Sequence, residues 1–297
     1  MVRRLMSVCA LAVATTFLCA CGVSASMGSL PKVATTSATA SAPGDHTINV
    51  TVQGRTRVLI LHVPSLQVAN RPLILVYHGA EGTASGTAQS TDFEQVSNTD
   101  GALVAFMQGY ANTWNEGAGH TPAEQAGIDD VAYTAAAIAQ LESLVSFNHR
   151  RIAATGFSNG ALMVEYLGCK LASSLALIVP VEGELPVPVS PTCAPSRSIN
   201  VYEIHGTADG AIPYNGGHFN GVGGGTTVLS APQSVARWAK LDRCTAKPKV
   251  TSPTSSITLT KYSKCRRGVS ATLRTIIGGT HQWGSDIAVL VSQHIPA

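Results

Sequence analysis

Hydrophobic and polar residues alternate along residues 47–63, in two runs parted by Gly54. Ile48, Val50 and Val52 share one face of the first run, and Val58, Ile60 and His62 continue it in the second. Alternation with period two around a glycine predicts a β-hairpin. The pattern then changes to short unbroken apolar runs at 72–77, 102–107, 151–155, 175–181, 199–204 and 271–277. Runs of this kind predict strands buried on both faces of a sheet. Between them Ile128, Val131, Ala135, Ile138, Leu141 and Val145 recur at steps of three and four, so one face of that segment is apolar and helical. Asp129 and Asp130 fall in its first turn, where the helix dipole favours negative charge. Residues 160–171, 232–241 and 285–293 predict further helices, the last with Ser285 as N-cap. Strands alternating with helices predict an α/β fold: a mostly parallel central sheet with helices on both faces and the opening hairpin as an antiparallel edge.

The first 45 residues do not share these patterns. Arg3 and Arg4 precede an apolar run of about 15 residues, too short to span a bilayer comfortably and right for a signal peptide. The run ends in Leu18-Cys19-Ala20-Cys21, which resembles a bacterial lipobox. That resemblance implies a signal peptide over 1–20 and Cys21 as the lipid-bearing mature N-terminus. Residues 21–45, rich in Ser, Thr and Ala, then form a polar tether. The chain is thereby expected at the cell envelope, on the outer face of a bacterial membrane. A single domain remains over 46–297, near the upper size for one hydrophobic core. Its cysteines are Cys169, Cys193, Cys244 and Cys265, an even number in an exported domain, which predicts two disulfides. Pairing Cys169 with Cys193 and Cys244 with Cys265 closes two short local loops. Charged residues are only 12% of the chain and the formal net charge is +3. With no basic run, that composition excludes a nucleic-acid partner.

Gly156-Phe157-Ser158-Asn159-Gly160 fits the pattern G-x-S-x-G. In a chain with 28 glycines the pattern alone carries little weight. Its context carries more: a strand run ends just before it and a helical run starts just after. That is the sharp turn on which such a serine acts as a nucleophile. A serine nucleophile needs a base and an orienting acid, in the chain order serine, acid, histidine. His281 follows the last strand run through Gly278-Gly279-Thr280 and is the expected base. Asp209, after the strand run at 199–204, is the expected acid, with Glu182 as the alternative. His205 is expected to brace the acid loop, and His218 to reach substrate from a glycine-rich loop. The oxyanion is expected to meet the N–H of Asn159 and a second N–H after His78-Gly79, that of Ala80 or else Glu81. Trp114 and Trp283 are candidates to line the substrate pocket. Asp129 and Asp130 are explained by helix-start charge and capping, without a metal.

Several segments together resemble the polyhydroxybutyrate depolymerase and feruloyl-esterase family, a carbohydrate-esterase-like branch of the α/β hydrolases. They are Tyr77-His-Gly79, Trp114-Asn115, Gly127-Ile-Asp-Asp-Val131, Gly156-Phe-Ser-Asn-Gly-Ala161, Ile204-His-Gly-Thr-Ala-Asp209 with Pro213-Tyr214, and Gly278-Gly-Thr-His-Gln-Trp283. They follow the family order over residues 71–283. The resemblance implies an α/β-hydrolase fold, a Ser158–Asp209–His281 triad, and neither metal nor cofactor. The departures lie at the pocket rim. Ala80 stands where the family often has cysteine, and Gly117-Ala-Gly-His120 replaces a Cys-Cys pair, so His120 is new. The expected function is hydrolysis of a carboxylic ester through an acyl-enzyme, by a monomer anchored in the membrane through the Cys21 lipid. An acyltransferase or peptidase on the same triad, or a non-catalytic surface binding protein, are the alternatives.

Overall fold

A computed structural model of the protein describes residues 41–297. The expected signal peptide, Cys21 and the expected tether up to residue 40 lie outside them. The elements in chain order are Gly44–Val52 (β1), Arg55–Val63 (β2), Leu73–Tyr77 (β3), Ala84–Ser90 (α1), Phe93–Asp100 (α2) and Leu103–Met107 (β4). Pro122–Gln125 (α3), Asp130–Leu144 (α4), Ile152–Phe157 (β5), Asn159–Lys170 (α5), Leu177–Val181 (β6) and Asn200–Gly206 (β7) follow. The chain ends with Gly217–Gly221 (β8), Gly224–Val228 (β9), Ala231–Leu241 (α6), Lys249–Thr254 (β10), Ile257–Tyr262 (β11), Ala271–Ile276 (β12) and Ile287–His294 (α7).

Ten strands form one sheet in the order β1-β2-β4-β3-β5-β6-β7-β12-β11-β10. The central strands from β4 to β12 run parallel, flanked by an antiparallel pair at each edge. Both faces are covered, and successive residues of β3 divide between them. Leu73, Leu75 and Tyr77 join a core with α4, α5 and α6, while Ile74 and Val76 join one with α1, α2 and α7. Every residue of β3, β4 and β6 is buried, which is why these strands read as unbroken apolar runs.

Several expectations need correction. The domain begins at Gly44 rather than His46, because Gly44 already pairs with Val63. Gln53 and Gly54 both have positive φ, as a two-residue hairpin turn requires. That turn sets Ile48 opposite Leu59 and Val50 opposite Arg57, so the buried face of the hairpin carries Leu59, Leu61 and Val63, not Val58 and Ile60. A slip of one residue exchanges the faces of a whole strand. In α4 the buried face runs through Asp130, Tyr133, Thr134, Ala137, Ile138 and Leu141, and Ala135 is exposed. Buried polar residues hid the true stripe. Asp286, not Ser285, precedes α7, and it makes no side-chain cap. The helices α1 and α2 and the strands β8 to β11 were not expected. The first are short and poor in large apolar residues, and β10 is exposed along its whole length.

Both expected disulfides are present. Cys169–Cys193 ties the end of α5 to the loop after β6, and Cys244–Cys265 ties the end of α6 to the loop before β12.

One buried ion pair joins the edge hairpin to the loop that carries Trp114. Arg57 Nη2 lies 2.7 Å from Asp130 Oδ1 and donates also to the Gln108 carbonyl. Its guanidinium covers the Tyr133 ring at 4.1 Å. Asp130 Oδ2 accepts the Asn115 N–H at 2.8 Å, and Asp129 caps α4 by accepting the Ala132 N–H. Asp130→Asn leaves the buried guanidinium without its counter-charge, and is expected to cost about 3–5 kcal/mol in urea unfolding.

Candidate active site

The site is assembled where the C-terminal ends of the central strands meet. Ser158 stands between β5 and α5 with φ 56° and ψ −122°, a strained conformation for a residue with a side chain. Its N–H is held by the Val181 carbonyl at 3.0 Å. The turn is possible only because two neighbours lack side chains. A Cβ on Gly156 would lie 2.3 Å from the Gly160 carbonyl oxygen, and one on Gly160 would lie 2.3 Å from the Tyr77 carbonyl oxygen. The spacing of G-x-S-x-G is therefore a record of backbone contact, strand against helix.

Asp209 and His281 are brought together by a second contact between glycines. A Cβ on Gly206, at the end of β7, would meet Gly279 backbone at 2.4 Å. Ala208 N–H donates to the Gly279 carbonyl at 2.8 Å, and Gly278 N–H to Thr207 Oγ1 at 2.8 Å. The two loops are thus sewn together, and His281 Nδ1 donates to Asp209 Oδ2 at 2.7 Å. The other Asp209 oxygen accepts the N–H groups of Ala211 and Ile212. The His281 ring lies 4.6 Å from that of Phe157, the residue before Ser158.

Asp209 also faces His205, whose Nε2 is 3.3 Å from Oδ2 and bonds the Ile212 carbonyl at 3.0 Å. Burial alone would raise the Asp209 pKa. The hydrogen bonds from His205 and His281 overcome it and hold the carboxyl far below its usual range. Burial would lower His205, but Asp209 and Glu184 raise it to about 11. Glu182 lies beside Asp209 at the same nitrogen of His205, 3.4 Å from Nε2, and accepts the Gly206 N–H, while Glu184 faces Nδ1 at 3.0 Å. Glu182 braces the acid loop and does not meet His281.

The N–H of Asn159 opens α5, where the first turn leaves backbone donors free. Ala80 N–H has no acceptor among the described residues, whereas Glu81 N–H donates to the Asn112 carbonyl at 2.8 Å. Of the two donors considered after Gly79, only that of Ala80 is free. His78 shapes this loop. Its Nδ1–H donates to the Gly79 carbonyl at 2.7 Å, and its Nε2 accepts the Gly109 N–H at 2.9 Å. Burial lowers its pKa, consistent with that neutral tautomer. The sequence marked His78 only as part of a motif.

A cleft of about 40 Å³ opens beside Ser158, lined also by Ala80, Asn159, His120, Leu162 and Phe219. Trp114 does not line it. The ring is fully buried, packed edge-on against Tyr77 at 4.9 Å, with Nε1 donating to the His78 carbonyl. Trp283 is half-buried against Phe157 and Phe93, outside the cleft lining. His218 is exposed on β8 and outside it too. In their place stand His120 and Phe219, brought in by a loop and a hairpin that carry no strong pattern in the sequence.

Comparison with known proteins agrees with this fold. The model of the phospholipase/carboxylesterase family matches residues 65–219. The chain belongs to the phospholipase/carboxylesterase family. Feruloyl esterase B of Piromyces equi is 33% identical over 237 residues, which are 77% of this chain and 43% of that one. The chain spans less than half the length of the curated relatives it matches. An acetyl xylan esterase from Aspergillus awamori superposes with a TM-score of 0.60 at 14% identity, over 80% of this chain and 94% of that one. A phospholipase/carboxylesterase from Dyadobacter fermentans gives 0.51 at 15% identity, over 86% and 99%. Both structures share the α/β-hydrolase fold.

Two predictions follow from this carboxylesterase-family site. Gly160→Ala forces a methyl into the Tyr77 and His78 carbonyls, and is expected to abolish soluble folded protein or fluorophosphonate labelling of Ser158. The second concerns acids buried beneath the site. Burial raises Glu165 and Glu182 to about 8 and Glu184 to about 7. A carboxyl raised on folding stabilises fully below its unfolded pKa and loses that contribution as pH rises through the folded value. The melting temperature is therefore expected to fall between about pH 5 and about pH 8, and Glu165→Gln to flatten that descent in thermal melts.

Proposed function

We propose that the protein is a secreted, lipid-anchored serine carboxylic-ester hydrolase. The observation that carries this reading is a serine on a strained strand-to-helix turn whose preceding residue, Phe157, has its ring 4.6 Å from that of His281, itself paired with Asp209. Ser158 Oγ attacks the ester carbonyl carbon while His281 Nε2 takes its proton. Asp209 holds the imidazole through Nδ1–H and stabilises the imidazolium that forms. The N–H groups of Ala80 and Asn159 receive the negative charge on the carbonyl oxygen. Collapse of the tetrahedral intermediate expels the alcohol, which takes the proton from His281. A water molecule, deprotonated by the same imidazole, then attacks the acyl-enzyme and releases the acid.

For substrates, the resemblance to polyhydroxybutyrate depolymerases and feruloyl esterases supports hydroxyacid oligoesters and aromatic-acid esters. The identity to the Piromyces feruloyl esterase favours the second. The small cleft and the low aromatic content, 5% of the chain, favour soluble esters over crystalline polymer. The lipobox-like Leu18-Cys19-Ala20-Cys21 supports export and anchoring, and two disulfides fit an oxidising compartment.

A panel of p-nitrophenyl esters, methyl ferulate and hydroxybutyrate oligomers tests the chemistry. Ser158→Ala is expected to remove turnover and fluorophosphonate labelling, and Asp209→Asn to lower kcat by about 10³–10⁴-fold. Turnover in Ser158→Ala equal to that of the unchanged protein rejects the nucleophile. Metabolic labelling with a clickable fatty acid tests the anchor: label is expected in the full chain and lost in Cys21→Ser.

A further inference from the structure

His120, which has no counterpart in the family pattern, is backed by a carboxyl that the triad does not use. Glu116 is fully buried. Its Oε2 accepts the Asn159 side-chain amide, Nδ2 to Oε2 3.1 Å, and its Oε1 lies 3.2 Å from His120 Nδ1. The orientation of that amide is set, because Asn159 Oδ1 accepts the Trp114 N–H at 2.9 Å. Glu116 Oε1 and His120 Nδ1 are both buried, and neither has a hydrogen-bond partner among the described residues, so the two atoms face one another across that 3.2 Å. The other carboxyl nearby, Glu124, is 3.8 Å from His120 Nδ1 and already accepts the N–H groups of Gly119, His120 and Thr121.

The proton between Glu116 and His120 can be located. Burial pushes the Glu116 pKa well above its usual value, and repulsion from Glu124 adds to this. Burial lowers that of His120. Both shifts favour the uncharged form of each group. The acid O–H donates to Nδ1, Oε2 remains free to accept from Asn159, and the ring proton must reside on Nε2. That nitrogen points towards Gly221, where an added Cβ would lie 3.4 Å away. Gly221 and His120 both line the cleft beside Ser158, and Phe219 stands edge-on to the imidazole at 6.0 Å.

The cleft is on the acyl side of the site. A leaving alcohol must reach His281 to take its proton. Neither His281 nor Asp209 lines this cleft, whereas both proposed oxyanion donors do. It is apolar at Leu162 and Phe219; among its polar lining residues the Thr121 hydroxyl is already bonded to the Trp114 carbonyl and the Glu124 N–H, which leaves the His120 imidazole as a group that can turn to a ligand.

We propose that the Glu116–His120 pair is an uncharged hydrogen-bond donor in the acyl cleft, selecting esters whose acyl chain carries a second, uncharged oxygen. An ether, hydroxyl or carbonyl oxygen a few bonds from the scissile carbonyl accepts from Nε2–H. An all-carbon chain leaves that donor without a partner. The proposal rests on the serine-esterase reading above and names the substrate feature that the same site recognises.

The test compares p-nitrophenyl 3-methoxypropanoate with p-nitrophenyl pentanoate, which differ by one oxygen in place of a methylene. The kcat/KM ratio is corrected by the ratio of their hydroxide-catalysed rates. The unchanged protein is expected to prefer the ether by about 5–10-fold. His120→Phe and Glu116→Leu are expected to reduce the corrected ratio to near one. Glu116→Gln is expected to retain it, because a glutamine amide donates to Nδ1 and its oxygen accepts from Asn159. No preference in the unchanged protein overturns the proposal. Loss of preference in Glu116→Gln overturns it too, since a carboxylate would then be required. So does loss on adding EDTA, which would make Glu116, His120 and Glu124 a cation site. Fluorophosphonate labelling of the unchanged protein separates the two readings. Absence of labelling is a failure of the esterase, and labelling without preference is a failure of this pair.

Discussion

The active-site architecture hangs on the backbone contact between the end of β3 and the start of α5. Gly160 lies so close to the Tyr77 and His78 carbonyls that no side chain fits between them. Because helix and strand touch there, Ser158 is lifted onto a turn at positive φ and its hydroxyl is carried clear of the sheet. The same contact brings the first turn of α5 beside the loop of His78, Gly79 and Ala80, which joins two backbone donors at one place. A larger residue would part the helix from the strand and separate the nucleophile from the donors together.

The surrounding loops are fixed by polar atoms rather than by apolar packing. Asn159 is the hinge of this arrangement. Its backbone N–H is one of the two proposed oxyanion donors, and its side chain is clasped by Trp114 and Glu116. The Trp114 loop is clasped in turn by Asp130, which Arg57 neutralises from the edge hairpin. A buried ion pair at the sheet edge therefore reaches the cleft through two loops. Such networks hold position well only when every member has its partner.

Two histidines share the carboxyl of Asp209, one on each side. His281 is half-exposed and turned to the site, while His205 is buried among Asp209, Glu182 and Glu184. The inner imidazole keeps its proton, so Asp209 stays ionised although it is buried. The cost falls on the neighbouring glutamates. Several carboxyls share a single buried cation, and burial lifts their pKa values into the neutral range.

Much of this protein is decided locally and can be read from the sequence. Unbroken apolar runs place the strands from β3 to β7, because a strand covered on both faces has no polar side to show. G-x-S-x-G and the Gly206 that ends β7 record backbone contacts that tolerate no Cβ, and such contacts leave their mark on residue type. The two short-range disulfides are local for the same reason. Other features depend on partners distant in the chain. The buried face of the opening hairpin was decided by the parity of its turn, and that of α4 by where Asp130 and Thr134 find partners. The strands β8 and β9 are glycine-rich and nearly all polar, so only their position against His120 gives them a role. Trp114 and Glu116 are two residues apart in the same loop, yet one packs in the core and the other faces a histidine at the cleft. Residue type announces what a side chain can do, and the tertiary fold decides which groups it meets and whether water reaches them.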